Sequence, residues 1–335
     1  MLGTDSLTGL HAIRSRRDVG PLVEAVRELA SRMGFGSAPA ALIATATSEL
    51  ATNIVRYGGG GEVALRRVWE PGRRGLAVVA RDRGPGIADV EAALRPGYST
   101  GGGLGLGLPA VVRIMDDVAI ATSPDAGTRV VALRWCHRSA SADEQPCGIA
   151  LKPLQDDSRC GDTAIVVEEG ERWGVAIVDV LGHGREAHRL ARRLLRRLRG
   201  EDWSDPAALL DRLHVHVRGS RGAAAGVSLV DAARGRVRHA GVGNTVTAVV
   251  GTSVQRLTGR SGVLGGTMPR ARAFEAPVAA GDALVCWTDG LADRAVRKAL
   301  PELGAGPAPV LAAQLLERCA RGTDDAACVA LRISG

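Results

Sequence analysis

Residues 48–58 read SELATNIVRYG, and their reading decides the fold of the first half of the chain. They close a predicted helix that starts near Ser37, carries Pro39 in its first turn and ends before the glycines at 58–61. On that helix Glu49 and Asn53 lie four residues apart and share a face. A carboxylate and an amide oxygen so placed suit a proton acceptor beside a hard cation. Magnesium takes oxygen ligands and completes its shell with waters and substrate phosphates. By itself the pair also fits two polar residues on a solvated face.

Working outward, residues 18–33 place Val19, Leu22, Val26, Leu29 and Met33 at helical spacing, and glycines at 34 and 36 end that helix. Strands are predicted at 63–68 and 76–80. The second runs into ARDRGPGIADV, residues 80–90. Asp82 at a strand end can accept a hydrogen bond from an exocyclic amine, and Gly84 and Gly86 let the backbone turn close to a flat ligand. Next comes STGGGLGLGLPAVVRIMDD, residues 99–117, in which Gly101, Gly102, Gly103, Gly105 and Gly107 precede a helix starting near Leu108. Backbone N–H groups free of side chains at a helix N-terminus form an anion cradle. Neither the P-loop nor the Rossmann glycine pattern is present. Strands at 118–121 and 129–135 complete the half.

These three elements, in this order over about residues 10–135, resemble the GHKL ATPase superfamily. The resemblance implies a Bergerat-type α/β sandwich. It implies Asn53 as magnesium ligand and Glu49 as the base acting on the attacking hydroxyl. Asp82 would bind adenine, Gly84 and Gly86 would form the first glycine box, and residues 101–107 the phosphate lid. Thr128, in AGTRV, would support the adenine pocket. The set MGFG, SELATNI, DRGPGI, GYSTGGGLGLGLP, RIMDD and GTRV is similar to the RsbT-like serine/threonine switch kinases, and more distantly to anti-sigma-factor kinases.

Residues 136–157 are polar, contain Pro146 and read as a linker between a first domain, 1–135, and a second, 158–335. The second is strand-rich, with helices expected near 186–198, 206–217 and 307–320. Asp162 precedes a strand, Asp179 ends one and opens DVLGHG, Asp289 follows the apolar strand at 283–287, and Asp324 and Asp325 precede the last strand. Aspartates at strand ends can converge on one rim of a sheet and bind hard cations; two such ions together activate a water for attack on phosphorus. Each aspartate alone also fits a turn or a cap.

The motifs CGD, DVLGHG, RGAAAGVSLV, VGN, SGVLGG, TDGL and DDAACVAL resemble SpoIIE- and RsbX-like metal-dependent phosphatases of the PPM type. That resemblance implies an α-β-β-α sandwich. Asp179 would ligate both metals, and Val180 would offer its backbone carbonyl. Asp162, Asp289 and Asp324 would be further ligands, with Asp324 against Asp325 left open. Asn244 and Gly265 would be loop elements near the site, and His183 a tight-turn residue beside it.

The reading is therefore a two-domain α/β (α+β) fusion of opposed activities. ATP and magnesium would serve the kinase half, and two magnesium or manganese ions the phosphatase half. STAS-type antagonist or stressosome-type proteins would be the substrates, with a sigma factor or a downstream phosphatase as further partners. An ATP-gated module that binds such partners with little turnover is the alternative. Composition excludes other classes. The 335 residues carry a net charge of +7, almost all of it arginine, yet aromatics make up only 3%, too few for nucleic-acid binding by stacking. No membrane helix or secretory signal is visible, so a cytoplasmic location is expected. None of the six cysteines forms a C-x-x-C pair, so buried thiols are expected. Arg192, Arg193, Arg196 and Arg197 read as one basic helix face, either solvated or attractive to an acidic partner.

Overall fold

The structure, a computed structural model, describes residues 8–95, 97, 107–137, 145–154 and 159–334. The chain divides into two compact units, one mainly N-terminal and one mainly C-terminal.

The first unit contains strands β1 (Gly9–Ile13), β2 (Gly61–Glu70), β3 (Arg73–Asp82), β4 (Asp117–Ser123) and β5 (Gly127–Cys136). Its helices are α1 (Val19–Arg32), α2 (Ser37–Tyr57), the short α3 (Val90–Ala93) and α4 (Gly107–Ile114). The strands form one sheet in the order β1-β2-β3-β5-β4. The helices cover one face. Leu22, Val26 and Leu29 of α1, Ile43, Leu50 and Ile54 of α2, and Val111 and Ile114 of α4 share a core with Leu65, Leu76, Val78 and Val130 of the sheet. Each such side chain, fully buried, contributes roughly 1.5–3 kcal/mol. The buried positions of α2 recur three and four residues apart, which points Glu49 and Asn53 away from the most apolar stripe.

The second unit is an α-β-β-α sandwich. Its strands are β6 (Cys147–Lys152), β7 (Asp162–Glu169), β8 (Arg172–Val180), β9 (Ala223–Asp231), β10 (Arg236–Val242), β11 (Val246–Val250), β12 (Val254–Thr258), β13 (Phe274–Pro277), β14 (Ala283–Trp287) and β15 (Ala326–Arg332). One sheet runs β13-β10-β9-β8-β7 and the other β12-β11-β14-β15-β6. Helices α5 (Gly184–Gly200) and α6 (Pro206–His216) lie on the first sheet. Helices α7 (Asp293–Leu303) and α8 (Ala308–Cys319) lie on the second.

Strand β14 shows why the central strands read as unbroken apolar runs. Leu284 and Cys286 face the core between the sheets, whereas Ala283, Val285 and Trp287 pack outward against Val296, Leu300, Leu311 and Leu315 of α7 and α8. Both faces are covered, so neither can be polar. All six cysteines are buried and unpaired. Among the described residues no helix is long and apolar enough to cross a membrane.

Several elements differ from the sequence expectation. Residues 147–152, inside the stretch read as a linker, form β6, which pairs antiparallel with β15 at the sheet edge. Cys136, the first residue of that stretch, still belongs to β5. The short run Cys-Gly-Ile-Ala-Leu gains its partner from residues 326–331, far along the chain, and nothing local announces that pairing. Helix α7 has no counterpart in the sequence expectation; it carries Pro301 in its last turn, where a proline removes an amide donor from the ladder. Strands β1, β12 and β13 are short, and each has a single pairing partner.

Candidate functional site

In the first unit the sequence-defined residues assemble at the ends of α2 and β3. Gly58, just past α2, lies so close to β3 that a Cβ there would stand 2.4 Å from the Asp82 Cβ. The absent side chain therefore lets the helix end meet the strand end. Asp82 Oδ1 accepts from the amides of Gly84, at 2.9 Å, and Thr128, at 3.1 Å. Among the described residues Oδ2 takes no hydrogen bond, so it is left to a ligand. Gly86 has φ +77°, and a Cβ there would meet the Ser123 carbonyl at 2.8 Å.

Thr122, which the sequence reading missed, ties this pocket together. Its Oγ1 accepts from the Ile87 amide at 2.8 Å and bonds to the Thr128 hydroxyl at 3.2 Å. Thr122 and Thr128 pair directly across the β4–β5 hairpin. Two threonines flanking a short turn were the available signal.

Glu49 and Asn53 both face the first residue of α4. A Cβ on Gly107 would lie 2.8 Å from Glu49 Oε2 and 3.7 Å from the Asn53 amide oxygen. The structure thus brings together three residues expected to serve one site. Gly101, Gly102, Gly103 and Gly105 lie outside the described residues.

In the second unit the aspartates come from separate strand ends. Asp162 opens β7, Asp179 is the penultimate residue of β8, Asp289 follows β14, and Asp324 and Asp325 precede β15. Val180 closes β8 opposite Ala223. Burial, and next the Asp179 carboxylate, push Asp162 up to about 9. Burial, then Asp289 and Asp324, push Asp179 up to about 7. Asp289 is also raised, first by burial and then by Asp324, while its Oδ2 accepts from the Asn244 amide at 2.6 Å. Among the described residues these carboxyls do not form a closed cage of three or more ligands; they meet pairwise, Asp162 with Asp179 and Asp179 with Asp289.

Asp162 is 2% exposed, and its buried Oδ2 has no hydrogen-bond partner. An orphaned carboxylate oxygen among mutually repelling carboxylates fits a divalent cation, which satisfies the lone pair and offsets the charge. Asp325 is different. It is 2% exposed, and its two oxygens accept the amides of Leu154 and Gly161, both at 2.7 Å. Asp324 is exposed, and one oxygen accepts the Asp325 amide at 2.8 Å. His183 is the N-cap residue of α5, between Gly182 and Gly184 with φ of +75° and +78°. Gly265 donates its amide to His214 Nδ1 at 3.1 Å.

Fold and sites define the class of the two units, and comparison with known families agrees. Residues 14–135 match the histidine kinase-like ATPase domain, and residues 169–334 match the stage II sporulation protein E (SpoIIE) domain. The serine/threonine-protein kinase RsbT of Bacillus subtilis (strain 168) is 43% identical over 109 residues, which are 32% of this chain and 82% of RsbT. The chain belongs to the RsbT kinase family through its first half, and that half is followed by a SpoIIE domain. One chain thus joins a histidine kinase-like ATPase domain to a SpoIIE domain.

One solved structure, from work on the bacterial stressosome as a modular system adapted to control secondary messenger signalling, is 26% identical. It has a TM-score of 0.53 and covers 56% of this chain and 98% of its own. A crystal structure of RsbX in complex with magnesium is 20% identical, with a TM-score of 0.48, covering 56% of this chain and 94% of its own.

Proposed function

We propose that the first domain transfers phosphate from ATP to a serine or threonine of a STAS-type antagonist or stressosome-type protein, and that the second removes such phosphates. The domains divide between β5 and β6. The observation that carries this reading is the presence in one chain of two complementary sets of groups. One is a carboxylate and an amide facing a helix N-terminus; the other is a set of strand-end aspartates with an orphaned buried oxygen.

In the kinase domain, Asp82 Oδ2 is the acceptor for the adenine amine. The Asp82 carboxylate is oriented beforehand by the Gly84 and Thr128 amides. Asn53 holds the magnesium that accompanies the triphosphate, and Glu49, beside it, accepts the proton of the attacking hydroxyl. Gly101, Gly102, Gly103, Gly105 and Gly107 offer backbone amides to the phosphates.

In the phosphatase domain, Asp179, Asp162, Asp289, Asp324 and the Val180 carbonyl are the proposed metal ligands. Two magnesium or manganese ions supply activation of a water for in-line attack on phosphorus. Asp325 is assigned to holding the loops at Leu154 and Gly161, because both of its oxygens are already engaged. Asn244 steadies Asp289.

The test follows labelled phosphate from ATP to a purified STAS protein, then its release after manganese is added. Transfer should vanish in Glu49→Ala and release in Asp179→Ala. Persistence of either in its variant would refute the corresponding residue assignment.

A further inference from the structure

The sequence of α5, GREAHRLARRLLRRLRG, carries a charge pattern that neither reaction uses. Arg185, Arg189, Arg192 and Arg196 recur at i, i+4, i+7 and i+11, one stripe along the helix. The pairs 185/189, 189/193, 192/196 and 193/197 set like charges four residues apart, each costing a few tenths of a kcal/mol. Arg185 also stands in the first turn, where the helix dipole disfavours a cation. A helix under packing constraints alone has no reason to carry this repulsion.

Pairing does not neutralise the stripe. Arg189 meets Glu186 and Arg197 meets Glu201. Among the described residues, however, Arg185, Arg192, Arg196, Arg218 and Arg221 form no ion pair, and all five are exposed. Arg193 directs its guanidinium to the His216 carbonyl at the end of α6. Burial, and then Arg193 and Arg197, hold His216 below its ordinary value, a sign of the local positive field.

This basic face runs into the loop of the proposed phosphatase site. Helix α5 begins at Gly184, five residues after Asp179. Arg221 donates to the Leu181 carbonyl at 3.0 Å, and the Leu181 amide donates to the Gly222 carbonyl at 3.1 Å. Leu181 is 45% exposed on that loop, and Val215, on α6, is 61% exposed. The surface thus joins a cationic stripe about 18 Å long, from Gly184 to Arg196, to the exposed Leu181 at its metal-site end, with Val215 next to the His216 carbonyl that Arg193 reaches.

Resting on the phosphatase reading, we propose that this face docks an acidic segment flanking the phosphorylated residue of the protein substrate. An extended segment of about six residues spans the stripe. Carboxylates on that segment would meet unpaired guanidiniums, which suit bidentate recognition. Leu181 and Val215 would pack against its aliphatic side chains. Aromatic residues, which nucleic-acid binding by stacking needs, are absent from α5 and α6.

The experiment uses the full chain with manganese and two synthetic phosphoserine peptides, one flanked by glutamates and the other by lysines. A third substrate, p-nitrophenyl phosphate, reports the chemistry alone. At low salt the glutamate peptide should show about a tenfold lower KM than the lysine peptide, with similar kcat, and the difference should shrink as salt rises. The combined substitution Arg185→Glu, Arg192→Glu and Arg196→Glu should bring the two KM values together.

The glutamine versions of the same three changes, with the salt titration of the unmodified chain, keep the test valid if charge reversal impairs folding. Equal KM values for both peptides, or discrimination unaffected by the three changes, would overturn the docking proposal and leave the phosphatase reading standing. Failure to hydrolyse any of the three substrates would remove that reading and this one with it. Tight, salt-sensitive retention of duplex DNA by α5 with no peptide discrimination would assign the face to nucleic acid and likewise overturn it.

Discussion

The two candidate sites are built on opposite electrostatic plans. In the first unit the fold orients the groups through backbone amides and a threonine pair. Asp82 is oriented by two backbone amides, and Thr122 bridges Ile87 to Thr128. The described part of that site is oriented before its ligand arrives. In the second unit Asp162, Asp179 and Asp289 are crowded at strand ends, raised by burial and by one another, and one buried oxygen has no partner. That site carries a carboxylate repulsion which bound cations or protons relieve. The same chain therefore holds a preorganised pocket and a charge-strained one.

The largest test of this contrast is catalytic separation. Asp179→Asn should lower phosphate release on the order of 10³-fold while leaving autonomous ATP-dependent transfer intact, because Asp179 is a proposed ligand of the second site alone. Glu49→Ala should cost transfer ~10²–10⁴-fold and leave release unchanged. Parallel initial-rate assays read both, and loss of both activities in either single variant breaks the separation.

A pH scan of stability should single out the second unit. His239 on β10 is 1% exposed, bonds Ser228 Oγ through Nδ1 at 2.9 Å, and is pushed by burial down to about 4. Below the unfolded value near 6.5 the unfolded chain binds the proton and the native chain does not. The stabilisation is thus whole above pH 6.5 and is lost as pH falls toward 4, by about 3 kcal/mol. Denaturant melts of His239→Gln should lack this component, and an unchanged slope between pH 6.5 and 4 would contradict it.

In the absence of nucleotide, metal should act on the second unit. Manganese at 100 times its Kd should stabilise the second unit by about 2.7 kcal/mol and chelator should reverse it. Asp162→Asn should stabilise the metal-free protein at neutral pH, since the fold no longer has to protonate a carboxyl that is ionised in the unfolded chain, and should weaken that metal response. Calorimetry with and without chelator measures both. A metal-free variant less stable than the parent would mean that Asp162 is not under charge strain.

The smallest effect belongs to the satisfied pocket. Thr122→Val removes the acceptor for the Ile87 amide and should cost about 1 kcal/mol, with a modest rise in KM for ATP. An effect above about 3 kcal/mol would show that the pocket, too, holds strain.

Much of the first site was legible because its parts are local. Glu49 and Asn53 are separated by one helical turn, and Asp82, Gly84 and Gly86 by a tight turn, so spacing alone puts them together. The second site was legible only as a set of similar contexts, since residues 162, 179 and 289 are brought near one another from strand ends of two sheets rather than along the chain. Thr122 escaped notice because its role depends on a hairpin register, and β6 because its partner lies about 180 residues away.

The sequence alone determined the order of the motifs (whose family resemblance implied the two folds), the main helices and strands, and which residue types stand at their ends. These follow from periodicity, glycine placement and short-range spacing. Tertiary structure decided which of Asp324 and Asp325 keeps an open carboxylate, that Gly58 lets α2 meet Asp82, and that unpaired arginines adjoin the aspartate loop. These depend on hydrogen bonds and close approaches between segments distant in the chain. Such approaches are fixed by the packing of whole sheets and helices, and no window of sequence contains both partners.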